Sequence, residues 1–186
     1  MENTLDIQEL DDAALADARV DLEVAIDGQE AGTLSLEFWP QAAPGTVRNF
    51  LQYASDGFYD GLTFHRVVTG FMVQGGCPQG TGTGSGPSGM IRGEFSNDSA
   101  HSHQRGTISM ARSNDPDSAS CQFFICHDVA TFLDGQYAAF GKLIAGDDTL
   151  DKLASVPVGP GGGGEVSAPK VRCEIKRATV RLEKQA

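Results

Sequence analysis

The chain has 186 residues, enough for one domain with a substantial core and too few for two of ordinary size. Apolar residues make up 40% and charged residues 21%, which excludes a disordered or fibrous polymer and fits a domain that folds alone. A net charge of -11, with the 14 Lys and Arg scattered, would repel a phosphate backbone, so nucleic acid is not an expected partner. In chain order, residues 1–19 come first: acidic, alanine-rich, and without glycine or proline. They are expected to be a solvated N-terminal extension, disordered or loosely docked, with a short helix as the alternative, ahead of a domain over 20–186. From Val20 the pattern becomes that of strands. Val20, Leu22, Val24 and Ile26 alternate, Asp27-Gly28 opens a turn, and Leu34, Leu36 and Phe38 alternate again, which predicts a hairpin. Pro44 opens a segment in which Val47, Phe50, Leu51 and Ala54 share one helical face, closed by Gly57. Short strand candidates follow over 62–68, 71–74, 106–111, 121–126 and 137–143, then a second helix over 147–154 and a last strand over 171–182. Strands and helices do not alternate as β-α-β units, so a mainly β fold is expected: a closed antiparallel barrel with helices over its ends.

No run of about 18 apolar residues occurs, and the acidic start is unlike a signal peptide, so no membrane association and a cytoplasmic location are expected. Cys77, Cys121, Cys126 and Cys173 form no C-x-x-C pair and read as free thiols, with Cys121 beside a groove residue. His101 and His103 stand among Asn97, Asp98, Ser99 and Ser102, which predicts a solvated loop, and no metal set is recognisable. His65, next to Arg66 on a strand, is expected on the opposite face in a structural hydrogen-bonding role. The run from Gly80 to Gly86 is not followed by a convincing helix, so it reads as a flexible loop beside a groove and not as a phosphate cradle.

Most informative is Phe64 to Gly76, FHRVVTGFMVQGG. An arginine amid apolar strand residues is costly unless its donors are used, and the same holds for Gln74 and for Gln122 beside Phe123-Phe124-Ile125. Parity puts Met72 with Gln74 on one face and Gln122 with Phe124 on one face, while Thr69-Gly70 leaves the register to Arg66 open. An apolar groove edged by Arg and amide donors suits a compact apolar ring next to a backbone carbonyl. A docking module without turnover, or a barrel holding a small apolar ligand, are the rival classes. Phe38, Phe50, Phe123, Ile125 and Phe140 weigh against the second, because they suffice to fill a small barrel.

FHRVVTGFMVQGG, GTISMARSNDPDSASCQFFI (Gly106 to Ile125) and FLDGQYAAFGKLIAG (Phe132 to Gly146) resemble, in order, the three signature segments of the cyclophilins, with bacterial texture. The resemblance runs from about Val20 to Leu182. It implies an eight-stranded antiparallel barrel capped by two helices, peptidyl-prolyl cis/trans isomerase activity that assists protein folding, no cofactor, and a shallow outer groove for proline-containing peptides. A monomer is the expected state. By position, Arg66 resembles the catalytic arginine, and Phe71, Met72, Phe124 and Leu133 the walls of the proline pocket. Gln74 would brace Arg66 and contact the substrate, Ala111, Arg112 and Ser113 would present backbone beside the peptide, and Gln122 would line an adjoining pocket. Phe132 and Tyr137 stand where many eukaryotic members carry tryptophan and histidine, which implies weak binding of a cyclosporin-type inhibitor. Cys77 and Cys121 depart from the usual aspartate and serine.

Overall fold

The computed structural model describes residues 5–183. Over residues 5–17 the N-terminal segment lies against the domain and contains a short helix, the alternative to a loose extension. A 3-10 turn (Ile7–Glu9) and α1 (Asp12–Asp17) are capped by the carboxylates of Asp6 and Asp11, which accept from the N–H groups of Gln8 and Ala14. Ile7 and Leu15 are fully buried in the main core. From below, the Arg48 guanidinium donates to the carbonyls of Ile7 (2.7 Å), Gln8 (3.2 Å) and Leu10 (2.9 Å). Two isolated apolar side chains and one arginine thus fix a segment whose composition reads as solvated.

In β1 (Ala18–Ile26) Val20, Leu22 and Val24 are buried and Glu23 is exposed, and in β2 (Gln29–Phe38) Leu34, Leu36 and Phe38 are buried in the same rhythm. Ile26 pairs with Gln29 across Asp27 (φ 53°) and Gly28 (φ 75°), the left-handed pair that a two-residue hairpin requires. Helix α2 (Pro44–Ser55) has no capping side chain at Ala43; instead Glu94, 48 residues beyond Thr46, accepts from the Thr46 N–H at 2.6 Å and hydroxyl at 2.8 Å.

The remaining elements are β3 (Phe64–Val68), β4 (Met72–Gly75), β5 (Thr107–Met110), β6 (Phe123–Cys126), β7 (Ala139–Ala145), α3 (Asp147–Ala154), β8 (Val158–Pro160), β9 (Val166–Pro169) and β10 (Cys173–Leu182). Eight strands form one antiparallel sheet in the order β10-β1-β2-β7-β5-β6-β4-β3, and β8 and β9 make a separate hairpin that the sequence did not suggest. The sheet curls until its two end strands meet. Its seam is not a full ladder as a closed barrel would have: Thr63 bridges Glu174, and the N–H of Ile175 and Gly61 bond Leu62 and Ile175 carbonyls at 2.8 and 2.7 Å. The expected pair of larger helices is present as α2 and α3, with the short α1 added.

Phe38, Phe50, Phe123, Ile125 and Phe140 fill the interior, all at most 4% exposed. Phe50 contributes from α2, with its ring 5.3 Å from both Phe123 and Phe140. A filled interior leaves no room for an apolar ligand, so any site lies on the outer face.

Candidate active site

The Thr69-Gly70 turn sets the register between β3 and β4: Arg66 opposes Gln74 and Val68 opposes Met72. On the next strand Gln74 opposes Phe124 and Met72 opposes Cys126. Opposed residues share a face, so Arg66, Gln74 and Phe124 form one outer row above a second row of Val68, Met72 and Cys126. Val67, Val73 and Ile125 point the other way, into the interior. The outer face carries an apolar cluster of its own, made of Met72, Phe124, Cys126, Ala130 and Leu133 with Val68, Phe71, Ala111 and Tyr137 against it.

This cluster is the floor of a cleft of about 650 Å³. Phe71 and the exposed Phe132 stand at one wall with ring centroids 5.6 Å apart, and Tyr137 stands edge-on to Phe124 at the other. Arg112 closes that wall. Its guanidinium lies 4.7 Å over the Tyr137 ring and donates to the Gln136 carbonyl at 2.7 and 3.0 Å.

Arg66 overhangs the floor. Its Nη1 donates to Gln74 Oε1 at 3.0 Å, Gln74 Nε2 donates to Gln122 Oε1 at 3.1 Å, and Gln122 Nε2 donates to the carbonyls of Gly82 and Gly84, each at 2.9 Å. The relay runs in one direction and fixes both amides. It ends in the glycine loop after β4, where Gly76 (φ 87°) admits no side chain, since a Cβ would lie 2.8 Å from the Cys121 carbonyl oxygen. The other edge of the fork is also occupied. Nε donates to Glu165 Oε1 at 2.7 Å and Nη2 to Oε2 at 2.9 Å, and the Arg66 hydrogen bonds hold the Glu165 carboxyl down to about 2 against the upward push of burial.

The chain matches the family model described as cyclophilin type peptidyl-prolyl cis-trans isomerase over residues 20–180. This chain belongs to that family. It is 48% identical to peptidyl-prolyl cis-trans isomerase B of Bacillus subtilis over 118 residues, 63% of this chain and 80% of the relative. It is 47% identical to a peptidyl-prolyl cis-trans isomerase of Synechococcus elongatus over 132 residues, 71% of this chain and 87% of the relative. A cyclophilin-type isomerase of Cryptosporidium parvum superposes with a TM-score of 0.78 at 29% identity, covering 89% of this chain and 98% of that one. The same Cryptosporidium protein solved in the presence of the dipeptide Ala-Pro superposes with the same TM-score at 30% identity, covering 89% and 99%. The activity of this cyclophilin is accordingly peptidyl-prolyl cis-trans isomerisation.

The cleft brings together Arg66, Phe71, Met72, Gln74, Ala111, Arg112, Phe124, Phe132, Leu133 and Tyr137, while Ser113 and Gln122 lie in an adjoining recess of about 350 Å³. Along the Ala111–Ser113 segment two N–H groups are engaged within the chain, that of Ala111 with the Gln122 carbonyl and that of Ser113 with the Ser118 hydroxyl.

Sequence reasoning misplaced two groups. A register shift between Phe64 and Arg66 turns His65 onto the cleft beside Arg66 instead of the opposite face, and its Nδ1 is buried without a partner. Burial, then the Arg66 charge, keeps that imidazole's pKa below its ordinary value. His103, expected in a solvated loop, is 1% exposed and stacks on Phe124 with centroids 6.1 Å apart. Its Nδ1 is 2.7 Å from Asp134 Oδ1 and its Nε2 2.9 Å from Ser109 Oγ. Burial lowers its pKa, so the neutral ring donates from Nδ1 to Asp134 and accepts the Ser109 hydroxyl proton at Nε2. This Ser-His-Asp chain performs no acyl transfer, because Ser109 is fully buried and no carbonyl can reach it. It backs the pocket floor. Cys121, beside Gln122 as expected, is held as the thiol: burial pushes it up to about 11. Burial also acts on Cys77, but N–H groups of the glycine loop, including Gly82 at 3.3 Å and Gly84 at 3.4 Å, bring it down to about 7.

The unforeseen member of the site is Glu165. Its only signal in the sequence is a lone acid directly after four glycines.

Proposed function

We propose that Arg66 carries the electrostatic part of prolyl isomerisation in a groove that takes proline-containing segments of peptides and proteins. The observation behind this is a guanidinium held by Gln74 above an apolar floor of Met72, Phe124 and Leu133. A pyrrolidine ring fits that floor, and its flanking carbonyl then lies within reach of the fork. The Ala-Pro dipeptide used with the Cryptosporidium relative has this chemistry.

Rotation about an X-Pro bond faces a barrier of about 18–20 kcal/mol because amide resonance is lost as the bond twists. When the bond is orthogonal the prolyl nitrogen regains its lone pair and the carbonyl loses donation. A guanidinium placed at that site binds the twisted amide better than either planar isomer, and this difference is the catalysis. One charge-assisted hydrogen bond supplies about 1.5–3 kcal/mol, whereas a millionfold acceleration needs about 8 kcal/mol. Gripping the ring and anchoring the neighbouring backbone supply the rest. No bond is made or broken apart from hydrogen bonds, so the reaction calls for no nucleophile or cofactor. Phe132 offers no indole N–H and less area than tryptophan, which supports weak binding of a cyclosporin-type inhibitor.

Arg66→Ala should reduce catalysed isomerisation of a short X-Pro peptide, followed by exchange NMR, by about a hundredfold or more. Binding of the peptide should weaken much less, because the floor is intact. A folded Arg66→Ala variant within about threefold of the parent would defeat the reading, given the factor of ten that 1.4 kcal/mol represents.

A further inference from the structure

The fork that should meet the substrate carbonyl is already holding a carboxylate. Arg66 and Glu165 make a two-point, charge-assisted contact at 2.7 and 2.9 Å, with side chains 36% and 39% exposed at the cleft. Glu165 comes from the far end of the chain, 99 residues beyond Arg66, on the loop between β8 and β9. The tip of that loop is open on its outer side, while on the inner side the buried Ser167 side chain also hydrogen-bonds the Glu165 carboxylate. Beside Gly162, Gly163 and Gly164 there is nothing within 4 Å of where a side chain would begin, and Gly163 and Gly164 adopt φ of 66° and 79°. Its internal bonds are local ones, from the Gly161 N–H to the Glu165 carbonyl and from the Glu165 N–H to the Gly162 carbonyl.

A neutral carbonyl displacing this carboxylate trades a bidentate charged contact for a weaker one. It also leaves Glu165 at the mouth without its cation. Among the described residues lining the cleft and its adjoining recess, Glu165 is the one carboxylate, so no neighbouring acid shares the role. A lysine or arginine on the substrate would give the displaced group a new partner. The chain's net charge of -11 acts in the same direction on encounter, attracting cationic segments and repelling acidic ones.

We propose that Glu165 is a specificity-determining residue: it occupies the Arg66 fork in the empty groove and, once displaced, selects X-Pro segments with a lysine or arginine near the proline. A side chain of that length reaches the mouth from about two residues on either side. The inference rests on the role assigned to Arg66 above. It makes the groove a charge-reading site in addition to a proline site.

The test compares three peptides that differ only in having Lys, Ala or Glu next to the X-Pro unit. Their kcat/KM is measured at low salt by exchange NMR with the parent, Glu165→Gln, Glu165→Ala and Arg66→Ala proteins. The parent should favour the Lys peptide over the Glu peptide by about tenfold, the scale of a partly exposed ion pair plus steering. Both Glu165 variants should turn over the Ala peptide about three to five times faster than the parent and should cut the Lys-to-Glu ratio to about twofold, the residue of net charge. An unchanged ratio would overturn the proposal. So would slower turnover of the Ala peptide in both variants, since Glu165 would then brace Arg66 and not compete with substrate. The Arg66→Ala arm separates the two readings. If that variant is nearly inactive while the Glu165 variants keep the parental ratio, only the selectivity claim falls; if it stays active, the role of Arg66 falls first.

Discussion

Strands β4 and β6 carry two apolar clusters, one on each face, and the two differ in kind. Inward, Val73, Phe123 and Ile125 are sealed at 0% exposure in the main apolar core, where Tyr59 donates its hydroxyl to the Cys121 carbonyl at 2.9 Å. Outward, Met72, Phe124 and Leu133 are nearly as buried but stop at a row of Arg66, Gln74 and Gln122 and an open cleft. The inner face stabilises the sheet. The outer one holds charged and amide donors at fixed positions over an apolar surface still available to a ligand. One alternating sequence serves both purposes because successive side chains along the regular strands β4 and β6 point to opposite faces.

The contrast can be broken by truncation on each side. Phe123→Ala should have the largest effect, about 3–5 kcal/mol of unfolding free energy by urea titration, because its ring meets those of Phe50, Tyr59 and Phe64 and the cavity cannot collapse. Leu15→Ala, in the N-terminal segment, should cost about 2–5 kcal/mol and leave turnover of the folded protein nearly unchanged, since it feeds the inner core and not the cleft. A neutral result there would mean that α1 does not belong to the cooperative unit.

His103→Ala sharpens the outer side. It should cost about 1–3 kcal/mol, for the unpaired Ser109 and Asp134, and slow turnover severalfold as Phe124 loses its backing. Its pH dependence has a definite sign. The folded pKa of His103 lies below the ordinary 6.5, so its contribution is full above that value and is lost as pH falls from there through the folded pKa. The parent should show this loss and His103→Ala should lack it. Smallest is Phe132→Ala: with Phe132 66% exposed, unfolding should shift by less than about 0.5 kcal/mol while ligand affinity falls.

Much of this was legible in the sequence where the signal is local. Alternation located β1 and β2, Pro44 and its apolar stripe located α2, and Arg66, Gln74 and Gln122 stood out as polar residues in strands that demand partners. What escaped depends on distant groups. The turn that buries Ile7 is held by Arg48, some forty residues on, and no periodic pattern marks it. His103 sits in a polar run, and only Asp134 and Ser109 from other elements make its burial tolerable. His65 moved because a bulge breaks the parity on which its face was assigned. Glu165 meets Arg66 only after the β8–β9 hairpin, too short to announce itself, packs beside β3.

The pairing of β1 with β10, from Ala18 opposite Leu182 to Ile26 opposite Cys173, has a consequence for synthesis. During synthesis β1 finds its second neighbour only after the other strands of the sheet have been made. Until then the β1–β2 hairpin presents an unpaired edge, and the seam that Ile175 closes against Leu62 stays open. Contacts of such sequence separation make folding slow compared with helical domains of this size, and they expose the edge to other nascent chains meanwhile. A message truncated before Cys173 is therefore expected to yield no smaller isomerase but a sheet with a bare, sticky margin. An enzyme that speeds a slow step in its substrates must itself wait for the ten residues of β10.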